Sequence, residues 1–446
     1  MKPRIHVTAI VMAVAAATAA MSLATHAWVG LASAGTPQDS LTVEEAVRLA
    51  LASHPAVAQA EQGVAAAQAR IGSTSSARYP DVAVAGSYTR IGPVPDITFA
   101  GHAFELAPAN NYDVHIGLRQ TVYDFGRTNT AVDLARAASE TAEDNVEQVK
   151  WALAYRTIAV FNSILILREN VAVLDDQISA LKEHLEESRK KVQAGTATDF
   201  DVLTTQVRTA AATNDRIEAA SNLEAQEIAL RELVGWPSDA PVKLAGDFAK
   251  TEQTLDGPAL LAAAFGQRPE MIVARDAEMT AALQVRLASL GDRPSVGLTL
   301  ASGFTTGYPD NLNQLKANYA AGFDFRVPVF NGNRTQNQRR EAEAGLHAAE
   351  ARTDDLKRQI TADVDQAVAR ARATWDKTEN AEVLVKQAEE AVAMAKTKYA
   401  AGVVTNLDLL DAQTSLTQAK LGYLRSLYAY SISLVEIDRA TGKRVW

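Results

Sequence analysis

Between Arg127 and Ala194 the chain contains neither glycine nor proline, and between Asn333 and Ala401 the only such residue is Gly345. Proline and glycine are the residues that end or weaken helices, so their absence over such lengths predicts two very long helices. A continuous helix of about 68 residues would extend roughly 100 Å at 1.5 Å per residue. Ordinary globular domains do not hold helices of that length. Composition agrees: aromatic residues make up only 6% and alanine is abundant, which suits closely packed helices better than a compact α/β enzyme. Within the first run Leu167, Val171, Leu174, Ile178, Leu181, Leu185 and Val192 fall largely on a four-three rhythm, the pattern of a coiled coil.

Both runs end on the same phrase. "KVQAGTATDFDVLTTQ" begins at Lys191 and "KYAAGVVTNLDLLDAQ" at Lys398, 207 positions apart, sharing Lys, Ala, Gly, Thr, Asp, Leu and Gln. Beyond each phrase the apolar rhythm resumes, through Leu203, Val207, Ala210 and Ile217 in one copy and Leu407, Leu410, Leu421, Leu424, Tyr428 and Val435 in the other. Helix, glycine turn and return helix make an antiparallel hairpin. Gly195 and Gly402 are placed to cap the long helices in the left-handed conformation. Thr198 and Thr405 are placed to start the return helices, with Asp201 and Asp408 three residues on.

The duplication extends upstream. "HPAVAQAEQGVAAAQARIGSTSSARYPDVAV" from His54 resembles "RPEMIVARDAEMTAALQVRLASLGDRPSVGL" from Arg268, and "VYDFGR" at Val122 resembles "VFNGNR" at Val329. The offset falls from 214 to 207 between these blocks, so the first copy carries seven extra residues between its two strand-like segments. Those segments alternate apolar and polar residues. Tyr112, Val114, Ile116, Leu118 and Val122 alternate with Asp113, His115, Gly117, Arg119 and Thr121; Tyr319, Ala321, Phe323, Phe325, Val327 and Val329 do the same in the second copy. This is the period of a strand with one apolar face. Similar segments begin at Pro80 and Pro294. The expected organisation is a first repeat over 41–237, a linker over 238–257 and a second repeat over 258–442. The strands are expected at about 80–90, 112–122, 294–305 and 319–329, and the tip turns at about 195–199 and 402–406. Strands of roughly ten residues suit a tilted membrane span. Four strands do not close a barrel, for which single chains use about eight or more; taken alone the strands are either two ordinary hairpins on a soluble domain or part of a barrel whose missing strands oligomerisation would supply.

The N-terminus has the layout of a secretory signal peptide: Lys2 and Arg4, an apolar run from about Ile10 to Leu23, then "ASA" ending at Ala34. Expected cleavage after Ala34 makes residues 1–34 the leader and leaves a chain more acidic than the −9 of the whole. Such a charge is poorly suited to nucleic acid, whose binding rests on neutralising phosphates. No further transmembrane helix is expected, which leaves a closed barrel as the route into a membrane. With no cysteine there is no disulfide, no thiolate metal site and no lipid-modifiable residue after the leader. His54, His102, His115, His184 and His347 are not paired at metal-binding spacing, and no HExxH, Walker, GxSxG or GxGxxG motif occurs. Neither enzymatic catalysis nor a metal or other cofactor is expected.

This order of elements, with "LTVEEAVRLALASHPAVAQAE" from Leu41 and the paired tip phrases, closely resembles the TolC-type outer-membrane efflux protein family over nearly the whole mature chain. The resemblance implies a mainly α protein with a membrane β-barrel portion. Each protomer would give four strands to one twelve-stranded barrel in the outer membrane of a Gram-negative-type bacterium, and a homotrimer of helical hairpins would form a periplasmic tunnel. It implies an exit duct for efflux or type I secretion, working with a periplasmic adaptor and an inner-membrane pump. Adaptor contacts would fall on Ala194, Gly195 and Thr196 and on Ala401, Gly402 and Val403. Acidic rings at a narrow entrance would be formed by Asp408 and Asp411, and polar links holding it shut would involve Asp201 and Tyr399. A helix-start charge explains Asp408 as well as it explains Asp201, whereas Asp411 has Thr204 as its counterpart. A basic residue that often joins the lock is replaced by Val404. The competing reading is a structural coiled-coil protein of the cell envelope, which leaves the alternating strands without a purpose.

Overall fold

The computed structural model describes residues 40–446 apart from 100, 101, 247, 249 and 251; the expected leader lies outside the described residues. The first half of the chain forms α1 (Val43–Ser53), α2 (Pro55–Ser75), the strands β1 (Asp81–Arg90), β2 (Asp96–Phe99), β3 (His102–Glu105) and β4 (Asn110–Tyr123), then α3 (Arg127–Gln193) and α4 (Asp199–Val234). The second half forms α5 (Gly257–Gln267), α6 (Pro269–Ser289), β5 (Ser295–Thr305), β6 (Lys316–Arg326), α7 (Arg334–Ala400) and α8 (Asn406–Thr441).

Local chemistry sets the boundaries. Thr42 and Glu45 cap α1 reciprocally, each side chain accepting from the other's backbone N–H. Both α2 and α6 open on a proline, whose missing N–H costs nothing in a first turn. The two long helices have 67 residues each. Each is paired twice: with α2 or α6 toward the sheet, and with α4 or α8 toward the far end.

Between these pairings lies a waist. Leu41, Ala46 and Ala50 pack there with Leu153, Phe161 and Ile164 of α3 and with Leu230, Leu233 and Val234 of α4. The second half repeats this with Ala264, Met271, Ile360, Val364, Ala371, Ile437 and Ala440. Val47, Trp151, Ala154, Tyr155 and Ile158 form a third cluster that packs on Val435 and Val445, so it joins the halves. The Tyr155 hydroxyl adds a hydrogen bond of 2.9 Å to the Lys443 carbonyl. One stretch of α3 is long and apolar enough to cross a membrane by composition, contrary to the expectation from sequence. Leu153, Phe161 and Ile164 of α3 are buried in the waist, and 33% of the apolar stretch is buried within the chain.

The strands β1, β4, β5 and β6 form one antiparallel sheet in that order. One face is apolar and exposed: Val82, Val84, Tyr88, Tyr112, Val114, Ile116, Phe304, Tyr319, Phe323 and Phe325. Across the register the opposite face carries Asp81, Arg119 and Thr299 in one row and Ser87, Asp113 and Thr305 in another. Near one end of the β4–β5 pairing, Gly303 lies against β4 so closely that an added Cβ would sit 2.1 Å from the Val114 carbonyl oxygen. A tyrosine pair, Tyr88 and Tyr112, sits on the apolar face with ring centroids 5.0 Å apart.

Two details differ from the sequence reading. The seven extra residues of the first copy belong to a segment that forms its own hairpin, β2 with β3, at the end of the sheet far from the helices. The fourth strand stops at Arg326, which pairs with Ser295, the first residue of β5; Val327 and Val329 therefore have no partner strand, and Pro328 between them has no N–H to give.

Candidate functional site

The far ends of the hairpins carry the residues singled out from sequence. Both turns are built alike. Gly195 and Gly402 take φ of 74° and 72°, the left-handed region, and the next residues, Thr196 and Val403, donate back to the carbonyls of Lys191 and Lys398 at 2.8 and 2.9 Å. These are Schellman closures, in which glycine avoids the local backbone strain that a side chain suffers at positive φ. Ala194, Gly195, Thr196, Ala401, Gly402 and Val403 are all exposed, and no added Cβ at either glycine would meet another atom within 4 Å. Their surfaces are free to meet a partner.

Each return helix starts with a capping box. One carboxylate oxygen of Asp201 accepts from the Thr198 N–H at 2.9 Å and its hydroxyl at 2.8 Å; Asp408 repeats this with Thr405 at 2.8 and 2.7 Å. The Thr405 hydroxyl and backbone bonds hold the Asp408 carboxyl below its ordinary range, so it stays ionised. Asp411 is different. It is paired with Arg208 of α4 at 3.1 Å, an ion pair that crosses from the first hairpin to the second.

Asp201 and Tyr399 do not bond to each other within the protomer. The Asp201 side chain is used by its cap, and its backbone carbonyl accepts instead from Asn406 Nδ2 at 3.2 Å. The Tyr399 ring is buried between two residues of α3: Lys191 Nζ stands 3.6 Å from its centroid, and His184 packs edge-on at 5.2 Å. His184 Nε2 lies 2.5 Å from Asn406 Oδ1, with both residues nearly excluded from solvent. A lysine over an aromatic face and a buried polar bond both favour this docked arrangement.

His184, Lys191, Arg208 and Asn406 were not singled out from sequence. A heptad row with a single partner passes through Leu185 and Val192, whereas the buried row on α3 is Leu174, Ile178, Leu181, His184 and Ser188. Near its end α3 faces α4 on one side and the second hairpin on another; Ile178 and Leu181 share a cluster with Ala212 and Leu410. A histidine in step with that second row was the available signal. Among the described residues no group of His, Asp and Glu is arranged to hold a metal ion.

An open sheet with a largely exposed apolar face, mounted on hairpins about 100 Å long, defines a membrane-inserted strand set on a helical duct. The chain belongs to the outer membrane efflux protein family, whose model matches residues 46–236 and 260–443. It is similar to the outer membrane protein TolC of Vibrio cholerae, with 24% identity over 70% of this chain and 72% of that protein. It is similar also to the alkaline protease secretion protein AprF of Pseudomonas aeruginosa, with 25% identity over 77% of this chain and 73% of that one. Among solved structures it superposes on the CmeC outer membrane channel of Campylobacter jejuni with a TM-score of 0.77, at 17% identity, over 90% of this chain and 85% of the other. The protein is an outer-membrane channel of the kind that serves efflux and type I secretion systems.

Proposed function

We propose that three copies close one twelve-stranded barrel and one helical tunnel, forming a passive exit duct with no chemistry of its own. The observation that carries this is the sheet itself. Among the described residues β1 and β6 each have a hydrogen-bonded neighbour on one side only, and each of the four strands carries exposed residues on the apolar face. In lipid every backbone polar group must be paired, so both edges must be closed by further strands. The exposed tip turns would receive a periplasmic adaptor, and an inner-membrane pump would supply the energy. Asp408, kept ionised by its cap, would contribute three carboxylates to the narrow end, with Asp411 nearby. A ring of like charges favours cations.

The test is mass measurement of the detergent-solubilised protein, followed by single-channel current in a planar bilayer under a salt gradient. A trimer with small, long-lived, cation-selective openings is expected. Folded protein of confirmed mass that never inserts would overturn the barrel and favour an envelope coiled-coil protein.

A further inference from the structure

The two hairpins of one chain are copies of each other, which allows the contacts inside a protomer to be compared with those between protomers. This comparison rests on the trimeric duct proposed above. In a ring of three chains each hairpin has one neighbour from its own chain and one from the next. A contact from first hairpin to second within a chain then has a counterpart from that second hairpin to the first hairpin of the next chain. The counterpart residues are found by the repeat offset of 207.

Within the protomer the hairpins are joined at the tip by three contacts. Arg208 pairs with Asp411 at 3.1 Å. His184 meets Asn406 at 2.5 Å, and Asn406 in turn donates to the Asp201 carbonyl at 3.2 Å. Tyr399 is enclosed by Lys191 and His184. Translated by the repeat, Arg208 becomes Ser415 and Asp411 becomes Thr204. Both hydroxyls are already spent inside their own helices: Ser415 Oγ donates to the Asp411 carbonyl and Thr204 Oγ1 to that of Phe200, each at 2.8 Å. His184 becomes Ala391, and Asn406 becomes Asp199, a carboxylate with no proton to give to the carbonyl of Asp408. Tyr399 becomes Val192. None of the three contacts can be made at the counterpart position.

We infer that the tips of each chain are latched into one unit by Arg208–Asp411 and His184–Asn406, and that the duct opens along the seams between chains. Arg208 thereby supplies the cation missing at Val404, from the other hairpin. An exposed ion pair contributes little alone. The buried histidine bond and the enclosed tyrosine add to it at the same place, and the counterpart residues offer none of these three contacts.

The chain has no cysteine, so paired cysteines report on one contact at a time. One variant carries Arg208→Cys with Asp411→Cys, the other Thr204→Cys with Ser415→Cys. Each is treated with a reducible bis-methanethiosulfonate cross-linker, then run on a denaturing gel and recorded in planar bilayers at voltages that give the widest openings of the untreated variant. The 208/411 pair is expected to stay monomeric on the gel and keep its wide openings when linked. The 204/415 pair is expected to give covalent dimers and trimers and to lose those openings until reductant is added. Loss of wide openings on linking 208 to 411, whether or not the seam pair also silences the channel, would overturn the latch. Retention of wide openings by a seam-linked trimer would overturn it equally. Failure of 204/415 to give any covalent oligomer would overturn the ring arrangement itself, and so the duct reading rather than the latch alone.

Discussion

His184 Nε2 and Asn406 Oδ1 lie 2.5 Å apart, joining the middle of the tip segment of α3 to the first residue of α8 across 222 positions of chain. Asn406 is buried, so its amide oxygen has no water to turn to if the imidazole is removed. An orphaned buried polar group costs about 1–3 kcal/mol. His184→Ala should therefore loosen the tip locally and leave the waist cores intact. Limited trypsin digestion reads this, because Lys190, Lys191 and Lys398 flank the turns. Faster cleavage is expected there for His184→Ala, with much of the protection restored in His184→Gln, which keeps a donor. Equal cleavage of wild type and His184→Ala would show that the bond does not hold the tip.

The comparison between Asp408 and Asp411 shows where sequence stops being informative. The two acids stand three residues apart, and the repeat already sets them apart, since Asp408 matches Asp201 and Asp411 matches Thr204; Asp408 closes a cap identical in kind to that of Asp201, while Asp411 meets Arg208 from 203 residues away, which no repeat reveals. Caps and turns are local, so Gly195, Thr198, Gly402 and Thr405 were legible from the phrases that contain them. The four sheet strands were legible for the same reason, since alternation is written along each one. Pairings between hairpins are not local. Arg208 looks like any solvated arginine, and His184 breaks a leucine row without revealing what it faces. The β2–β3 hairpin left only a seven-residue excess as its trace, because four-residue strands are too short to show a period.

Arg208 also changes what the acidic end of the duct presents to ions. Paired with Asp411, it cancels one of the two carboxylates that each chain would place there. Asp408→Ala should therefore lower cation preference more than Asp411→Ala does, since among the described residues no cation pairs with Asp408, which is held ionised by Thr405. Arg208→Ala should raise cation preference above wild type by unmasking Asp411. Reversal potentials in a salt gradient order the variants. An unchanged or lower preference in Arg208→Ala would mean that Asp411 does not face the conducting path.

A second pair of acids lies between α3 and α6. Burial, then the hydrogen bond and charge of Asp276, then the charge of Glu147, push the Asp144 carboxyl up to about 6. Asp276 Oδ2 is buried and gains a partner only when Asp144 carries a proton. The neighbouring charges leave this unrelieved, because Lys150 and Arg444 are both bound to Glu147. The folded state thus holds a proton that the unfolded chain releases near pH 4. Stability from this pair is fully present below about pH 4 and is lost as pH rises to about 6, with no further change above. Asp144→Asn should keep the hydrogen bond without the proton, raising the thermal midpoint at pH 7.5 and removing that part of the slope between pH 4 and 6. A slope identical to that of wild type would show that the two carboxyls do not share a proton.

Gly303 tests the sheet as the unit that enters the membrane. Its added Cβ would fall 2.1 Å from the Val114 carbonyl oxygen and 2.5 Å from His115 Cα, contacts made with backbone that no rotamer change relieves. Gly322 lies on the neighbouring strand and would meet nothing within 4 Å. Gly303→Ala must therefore separate β4 from β5, the pairing that joins the two halves of the sheet, whereas Gly322→Ala needs no movement. Overpacking of this kind costs about 1–3 kcal/mol or more, and in a barrel the loss would be repeated in each chain. Gly303→Ala is expected to reduce insertion and the yield of channel-forming oligomer sharply, with Gly322→Ala close to wild type and the helical circular dichroism of both unchanged. The comparison of mobility on heated and unheated denaturing gels checks it. Equal recovery of folded oligomer from the two variants would mean that β4 and β5 do not approach so closely in the membrane.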